Sequence, residues 1–487
     1  MSLGNRNQKT EGTLEETRFR RRDFLRLAEL TAISAIVAAC APAAPQPTPA
    51  PAATQAPATP VPAATEVPAT PVPATKEGAQ IRFLYWDDFE GPYQSEAYMK
   101  LHPDVKIETI PYLDESGKLD AMIAAGNPPD ILVIGGDDIY KYTSMKALLN
   151  FQPIVDADKE FDISIYFPEA VIGWKSPDGD LYGLGPDFGM ELLYYNKKLF
   201  DEAGLAVPTK SWTWQDMQQA AKTLTKGEGA TKQYGSVAFW GPSQQLGIVW
   251  ENGGEIFSAD RRKCLMDSPE AIGALAYVNG YVHDGLAPAP QEVSALGMEL
   301  GPFFATGRVG VTPGGHWYFR YMAEMDWGVT VYPQGKKPGT YLYQAIWSAS
   351  NATKFPEVCW DLIKFSCTPE WSEKFCVYVG GMPTIVDVAK RLAASTPEQA
   401  KDLKHFEQKE AGPDVVLPGV EKVWKAMFDG VQSARRPLVI PGITEINTSV
   451  WTPALDPMWT GETTPEQVCR AIAEGANKIL DREWAKT

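Results

Sequence analysis

Residues 180–200 read DLYGLGPDFGMELLYYNKKLF. Tyr182-Gly183-Leu184-Gly185 is a short apolar run broken by glycines, and Pro186 and Asp187 end it. Leu192-Leu193-Tyr194-Tyr195 is a second strand-like run. Asn196 stands where a side-chain oxygen would cap a helix over 197–203. Two strand segments joined at a Gly/Pro/Asp break can pass between two packed lobes and bend at the break.

On the N-terminal side, strand and helix patterns alternate. Residues 81–86 read as a strand, 92–101 as a helix, 105–110 as a strand and 119–125 as a helix closed by Gly126-Asn127-Pro128-Pro129. Residues 130–134 form a third, apolar strand that ends at Gly135-Gly136-Asp137-Asp138. This alternation predicts a parallel α/β sheet. Ligands of open α/β sheets bind beyond the carboxyl ends of the strands. Two such ends carry Trp86-Asp87-Asp88 and Gly136-Asp137-Asp138. The acids also suit helix capping, and the residues leave both roles open. A tryptophan leaving a strand into a loop has little structural reason to be there, which favours Trp86 as a contact.

On the C-terminal side, 214–226 reads as a helix and 234–239 as a strand that delivers Trp240-Gly241-Pro242-Ser243-Gln244-Gln245. A helix through Trp250 ends at Asn252-Gly253-Gly254, and 271–282 is amphipathic. Phe303 to Val311 leads into Pro313-Gly314-Gly315-His316-Trp317. Tyr332-Pro333 and the loop through Gly339 predict the return crossing, after which 342–348, with Trp347, rejoins the first sheet. Gly380-Gly381-Met382-Pro383 is a turn, and the remainder is mostly helical. Thr464 with Pro465 opens a last helix to about residue 480.

Several of these runs resemble one family. Tyr194-Tyr195-Asn196-Lys197, Leu199 to Leu205, Pro208-Thr209 and Trp212-Thr213-Trp214 resemble the extracellular solute-binding proteins of ABC importers, in the sugar-binding group related to maltose-binding protein. KLDAMIAAGNPPDILVI at 118–134, the Phe303–Val311 entry, the helix pair around Pro369-Glu370-Trp371 and the Gly380–Pro383 turn are similar to the same family. The resemblance spans about 79–487 and is weakest over 384–459. It implies an α/β, two-lobed periplasmic-binding-protein fold, each lobe a β-sheet flanked by helices, with a hinge between. The expected lobes are 77–187 with 335–383, and 188–334 with 384–487. It also implies a permease and a separate ATPase as partners, and a glycine-tryptophan loop at 314–317 that reaches the ligand.

Residues 1–39 read as an address. Arg21-Arg22-Asp23-Phe24-Leu25-Arg26 resembles the twin-arginine export motif, and Val37-Ala38-Ala39-Cys40 resembles a lipobox in which Cys40 is lipidated. The apolar stretch between them is too short to span a membrane. Residues 40–76 are almost all Ala, Pro and Thr, a stalk of polyproline II character reaching up to roughly 100 Å. The expected location is the outer face of the cytoplasmic membrane or the periplasm, with the lipid anchor as the one membrane contact.

The chain has 487 residues and a formal charge of −16, which argues against nucleic acid or anionic membrane as a partner of the folded part. Of six cysteines, Cys264, Cys359, Cys367, Cys376 and Cys469 remain beside Cys40, and spacing alone leaves open one disulfide or buried thiols. The four histidines are scattered and no CxxC occurs, so neither metal nor cofactor is expected. P-loop, GxSxG, HExxH and GxGxxG signatures are absent, and no catalytic residue is assigned.

The expected function is binding of a sugar or oligosaccharide by a monomer. Trp faces suit the C–H face of a sugar ring, and Asp, Asn, Gln and Arg suit its hydroxyls. The candidate contacts are Trp86, Asp87, Asp88, Gly136, Asp137, Asp187, Trp240, Gln244, Trp250, Gly315, His316, Trp317, Trp347 and Gly381. Core packing competes with this role for each Trp, most of all for Trp250 within its helix. The same acids and rings would suit a polyamine, glycerol phosphate or an osmolyte. Paired acids such as Asp87 and Asp88 keep a secreted carbohydrate-active enzyme as a further alternative.

Overall fold

The computed structural model describes residues 78–85, 90–111, 116–237, 241–403 and 418–485. Cys40, the stalk, Trp86, Asp87, Asp88 and Trp240 lie outside these residues.

Among the described residues, twelve strands form two sheets. In chain order they are β1 (Gln80–Tyr85), β2 (Lys106–Pro111), β3 (Ile131–Gly135), β4 (Gly183–Leu184), β5 (Asp187–Asn196), β6 (Tyr234–Ser236), β7 (Val309–Gly315), β8 (Trp327–Thr330), β9 (Thr340–Tyr343), β10 (Ala345–Ala349), β11 (Met382–Pro383) and β12 (Ala434–Arg435). The first sheet has the order β2-β1-β3-β10-β4. Its β1–β2 and β1–β3 pairs are parallel, as the alternating sequence predicts, and β10 runs antiparallel to β3 and β4. The ILVI run of β3 is buried throughout, the pattern of a strand covered on both faces.

The second sheet has the order β12-β9-β5-β7-β6, with β8 and β11 also on β5. All ten residues of β5 are buried. Its first residues pair with β11 and β9, and its last with β7 and β8. Asn196 ends the strand and starts the next helix together, its side chain accepting from the Leu199 amide at 3.3 Å.

Besides the helical passage from β10 to β11, the chain passes between the sheets at two adjacent places. One is Gly185-Pro186, between β4 and β5, and the other is Gln344, between β9 and β10. They run side by side, since Gly189 is the register partner of Tyr343. The second crossing therefore lies beyond the 332–339 stretch that turn residues predict. That stretch instead joins β8 to β9 and packs on Trp212 and Glu251, with the Gln334 amide donating to the Trp212 carbonyl at 2.6 Å. Residues 340–343 stay in the second sheet because β5 takes them, and the Thr340 hydroxyl adds a bond to the Glu191 carbonyl at 2.8 Å.

One apolar core gathers Phe83, Leu132, Val133, Trp174, Trp347 and Trp360 around the first sheet. A second gathers Phe200, Met217, Leu275, Val278, Trp451 and Ile472. Cys264, Cys359, Cys367, Cys376 and Cys469 are buried free thiols, so none of them pairs.

Candidate functional site

Both sheets contribute to one cavity of about 390 Å³. Tyr85 and Gly135-Gly136-Asp137, at the carboxyl ends of β1 and β3, come from the first sheet. Asp187, Phe188 and Gly189 from β5, Tyr341 and Tyr343 from β9, and His316-Trp317 just after β7 come from the second. Gln344 and Ala345, at the crossing, complete the wall with Phe375 and Val379. Open parallel strands leave backbone N–H and carbonyl groups at their ends, and crossings place both sheets around one gap, so topology fixes this location.

The walls are aromatic. Trp317 meets Tyr343 with ring centroids 5.2 Å apart and planes at 73°, and Tyr343 meets Tyr341 at 4.7 Å and 59°. Alternation along β9 puts Tyr341 and Tyr343 on one face. Such rings offer flat apolar surface beside hydroxyls that need partners.

The polar groups are mostly buried. Asp187 is 7% exposed and His316 8%. His316 Nε2 lies 4.0 Å from Asp187 Oδ2. Burial raises the Asp187 carboxyl to about 7, opposed by the charge of Arg320. Burial lowers His316 to about 3, helped by the same arginine. The imidazole is therefore neutral at pH 7, with one donor and one acceptor nitrogen. Among the described residues, His316 Nδ1 and Gln344 Nε2 are buried nitrogens without a hydrogen-bond partner. Both residues line the cavity.

Behind β9 lies Glu191, 1% exposed. Burial raises it to about 7 against the pull of bonds from Tyr343, Tyr332 and Gln244. Asp137 accepts from the Tyr341 hydroxyl, and Arg436 Nη2 lies 3.9 Å from its other oxygen. Arg436 also donates to Gln344 Oε1. Burial lowers the guanidinium's pKa, while Asp137 and Tyr341 hold it up. A Cβ at Gly136 would stand 1.9 Å from Arg436 Nη2, so glycine there makes room for the arginine. At Gly189 a Cβ would stand 1.8 Å from His316 Nδ1, so glycine there lets the imidazole lie on the strand.

Of the fourteen sequence candidates, Gly136, Asp137, Asp187, His316 and Trp317 line the cavity. Gly315 is the last residue of β7, its carbonyl accepting from the Tyr194 hydroxyl at 3.0 Å. Gly381 packs on Asp187, 2.1 Å from its Oδ2 for an added Cβ. Gln244 sits behind the wall, bonded to Glu191. Trp250 is buried and stacks on the outer side of the site, parallel to Tyr341 within 9° at 6.5 Å, with the Arg435 guanidinium 4.7 Å over its ring. Trp347 corrects the expectation of a stacking surface. It is 2% exposed and packs against Phe83, Tyr85 and Phe375, because β10 turns its ring into the first core. Trp86, Asp87, Asp88 and Trp240 lie outside the described residues. Sequence reasoning missed Tyr85, Tyr341, Tyr343, Gln344, Glu191 and Arg436. The alternation of Thr340-Tyr341-Leu342-Tyr343 was the available signal for two of them.

Residues 94–408 match the family model described as bacterial extracellular solute-binding protein. The chain belongs to that family. Among curated members, the galactooligosaccharide-binding protein of Bacillus subtilis is 23% identical over 423 residues, 82% of this chain and 90% of that protein. The sn-glycerol-3-phosphate-binding periplasmic protein of Shigella dysenteriae is 25% identical over 450 residues, 82% and 92% of the two chains. Among solved structures, an ABC substrate-binding protein from Listeria monocytogenes, in complex with cycloalternan, superposes with a TM-score of 0.72 at 23% identity, over 83% of this chain and all of that one. These solute-binding proteins share the two-lobed α/β fold found here. The family and these neighbours are binding proteins rather than enzymes.

Proposed function

We propose that this protein is the extracytoplasmic substrate-binding subunit of an ABC importer, and that a sugar or short oligosaccharide sits in the cavity between its sheets. The observation that carries the reading is the wall itself. Trp317, Tyr341 and Tyr343 offer ring faces and Asp187, His316 and Gln344 offer buried polar atoms from the second sheet and the crossing, while Tyr85 and Asp137 line the same cavity from the first sheet. A ligand touching both sheets favours the form in which they approach, so binding and closure are linked. Gly185-Pro186 and Gln344 act as the hinge, and the closed form delivers ligand to the permease. Cys40 carries the lipid anchor and 41–75 the stalk. The carboxyls of Asp137 and Asp187 at the wall disfavour a phosphate ester, which would meet like charge.

A thermal-unfolding screen of the full-length protein tests the reading, using mono- to tetrasaccharides, sn-glycerol-3-phosphate, spermidine and glycine betaine. At 100 times the dissociation constant a ligand stabilises the fold by about 2.7 kcal/mol. The reading expects a shift with one saccharide class and no product by chromatography. A shift confined to the non-sugar solutes, or turnover of a glycan, contradicts it. Labelling with a fatty acid that Cys40→Ser abolishes tests the anchor.

A further inference from the structure

We infer that the saccharide held in this cleft carries a positively charged amine, which Asp187 receives inside a collar of aromatic rings. The inference rests on the saccharide-binding reading above and narrows it.

The charges around the cavity do not balance. Asp187 and Glu191 are both more than nine-tenths buried, and alternation along β5 puts them, with Gly189, on one face. The donors to Glu191 are neutral, namely Tyr343, Tyr332 and Gln244. The group facing Asp187 is His316 at 4.0 Å, and burial keeps that imidazole uncharged. The Arg320 charge acts on Asp187 through space, but its guanidinium is bonded to the Tyr378 carbonyl at 2.7 Å and lies 4.9 Å from the Tyr378 ring. Arg436 is turned to Asp137 and Gln344. Among the described residues, no lysine or arginine is paired with Asp187 or Glu191.

A buried carboxylate with no directly paired cation is costly, and the cost falls when a cation arrives with the ligand. A neutral sugar would satisfy the rings, His316 and Gln344 but leave Asp187 as it is. An ammonium on the sugar ring supplies the missing charge and a charge-assisted hydrogen bond. The rings suit the same group. Tyr341, Tyr343 and Trp317 line the same cavity as Asp187 and meet one another at steep angles, and an aromatic ring face attracts a cation. Burial holds the Asp187 carboxyl at about 7, so at neutral pH an approaching ammonium shifts it to the ionised form.

Calorimetric titration of the full-length protein at neutral pH decides the matter. The probes are matched sets: D-glucosamine, N-acetyl-D-glucosamine and D-glucose; the β-1,4 disaccharide of glucosamine and cellobiose; and spermidine as an amine without a ring. The expected result is an amine-bearing saccharide bound about tenfold or more tighter than its neutral counterparts. In Asp187→Asn the preference shrinks to under about threefold. If that variant does not fold, the wild-type ratio still stands as the test. Neutral saccharides bound equally or more tightly overturn the amine inference and leave the sugar-binding reading intact. Binding of spermidine with no saccharide overturns the saccharide reading, and no binding by any probe overturns both.

Discussion

The Tyr341 hydroxyl donates to the Asp137 carboxylate, tying β9 of the second sheet to the turn that follows β3 of the first. Arg436 reinforces the tie from a third segment, lying 3.9 Å from Asp137 and bonded to Gln344 at the crossing. Its side chain is 8% exposed. Removing it leaves Asp137 and Gln344 short of a partner and a void beside Gly136 and Gly173. Arg436→Ala is expected to destabilise the protein by about 3 kcal/mol in urea unfolding. Arg435→Ala, whose Glu255 pair is half exposed, should cost under about 1 kcal/mol.

Gly189 is expected to tolerate no side chain. A methyl group there would collide with the His316 ring and drive it off β5. Gly189→Ala should weaken ligand binding by roughly tenfold or more, because His316 and Trp317 shift together. Calorimetry on the variant checks this, with Gly280→Ala as a control, since a Cβ there has open space.

Glu191 makes stability depend on pH. Its folded value, about 7, lies above the ordinary 4.5, so the folded state holds its proton more tightly than the unfolded state. Stability from this group is full below about pH 4.5 and is lost as pH rises to about 7. The loss is of order 3 kcal/mol. Asp187 acts in the same direction. His316 acts oppositely, since its lowered value makes stability rise with pH between about 3 and 6.5. Glu191→Gln should therefore gain stability relative to the parent at pH 8 and not at pH 4.5. Urea unfolding at the two pH values measures the difference.

Two tryptophans should separate stability from binding. Trp347→Ala removes a fully buried ring from the first core and is expected to cost about 3–5 kcal/mol. Trp317→Ala removes a half-buried ring from the cavity wall and should cost less stability but weaken saccharide binding by roughly tenfold or more.

The five buried thiols predict a melting midpoint indifferent to reductant. A shift on adding dithiothreitol would show a pairing that the structure does not contain.

The fold was legible where local signals agreed. The apolar run of β3, the Asn196 cap and the Thr464-Pro465 start each match the structure. The second crossing was not legible, because Pro333 and Gly339 mark a loop between β8 and β9 as strongly as they would mark a crossing. Pairing with β5, about 150 residues away, and with β12 keeps residues 340–343 in the second sheet. The site was half legible for a related reason. Strand ends gave Gly136 and Asp137, and a glycine-rich approach gave His316 and Trp317. Trp347 sits in a strand whose two faces look alike in sequence, and only the packed structure shows its ring in the core. Arg436 comes from the irregular C-terminal region, and no local pattern points it at Asp137.

The most direct test of a saccharide-binding cleft is calorimetric titration of the full-length protein and its Trp317→Ala variant with whichever saccharide gives the largest thermal shift. A stoichiometry of about one and an affinity at least roughly tenfold weaker in the variant are the predicted results. Equal affinity in the two proteins would place the ligand elsewhere and contradict the assignment of the cavity.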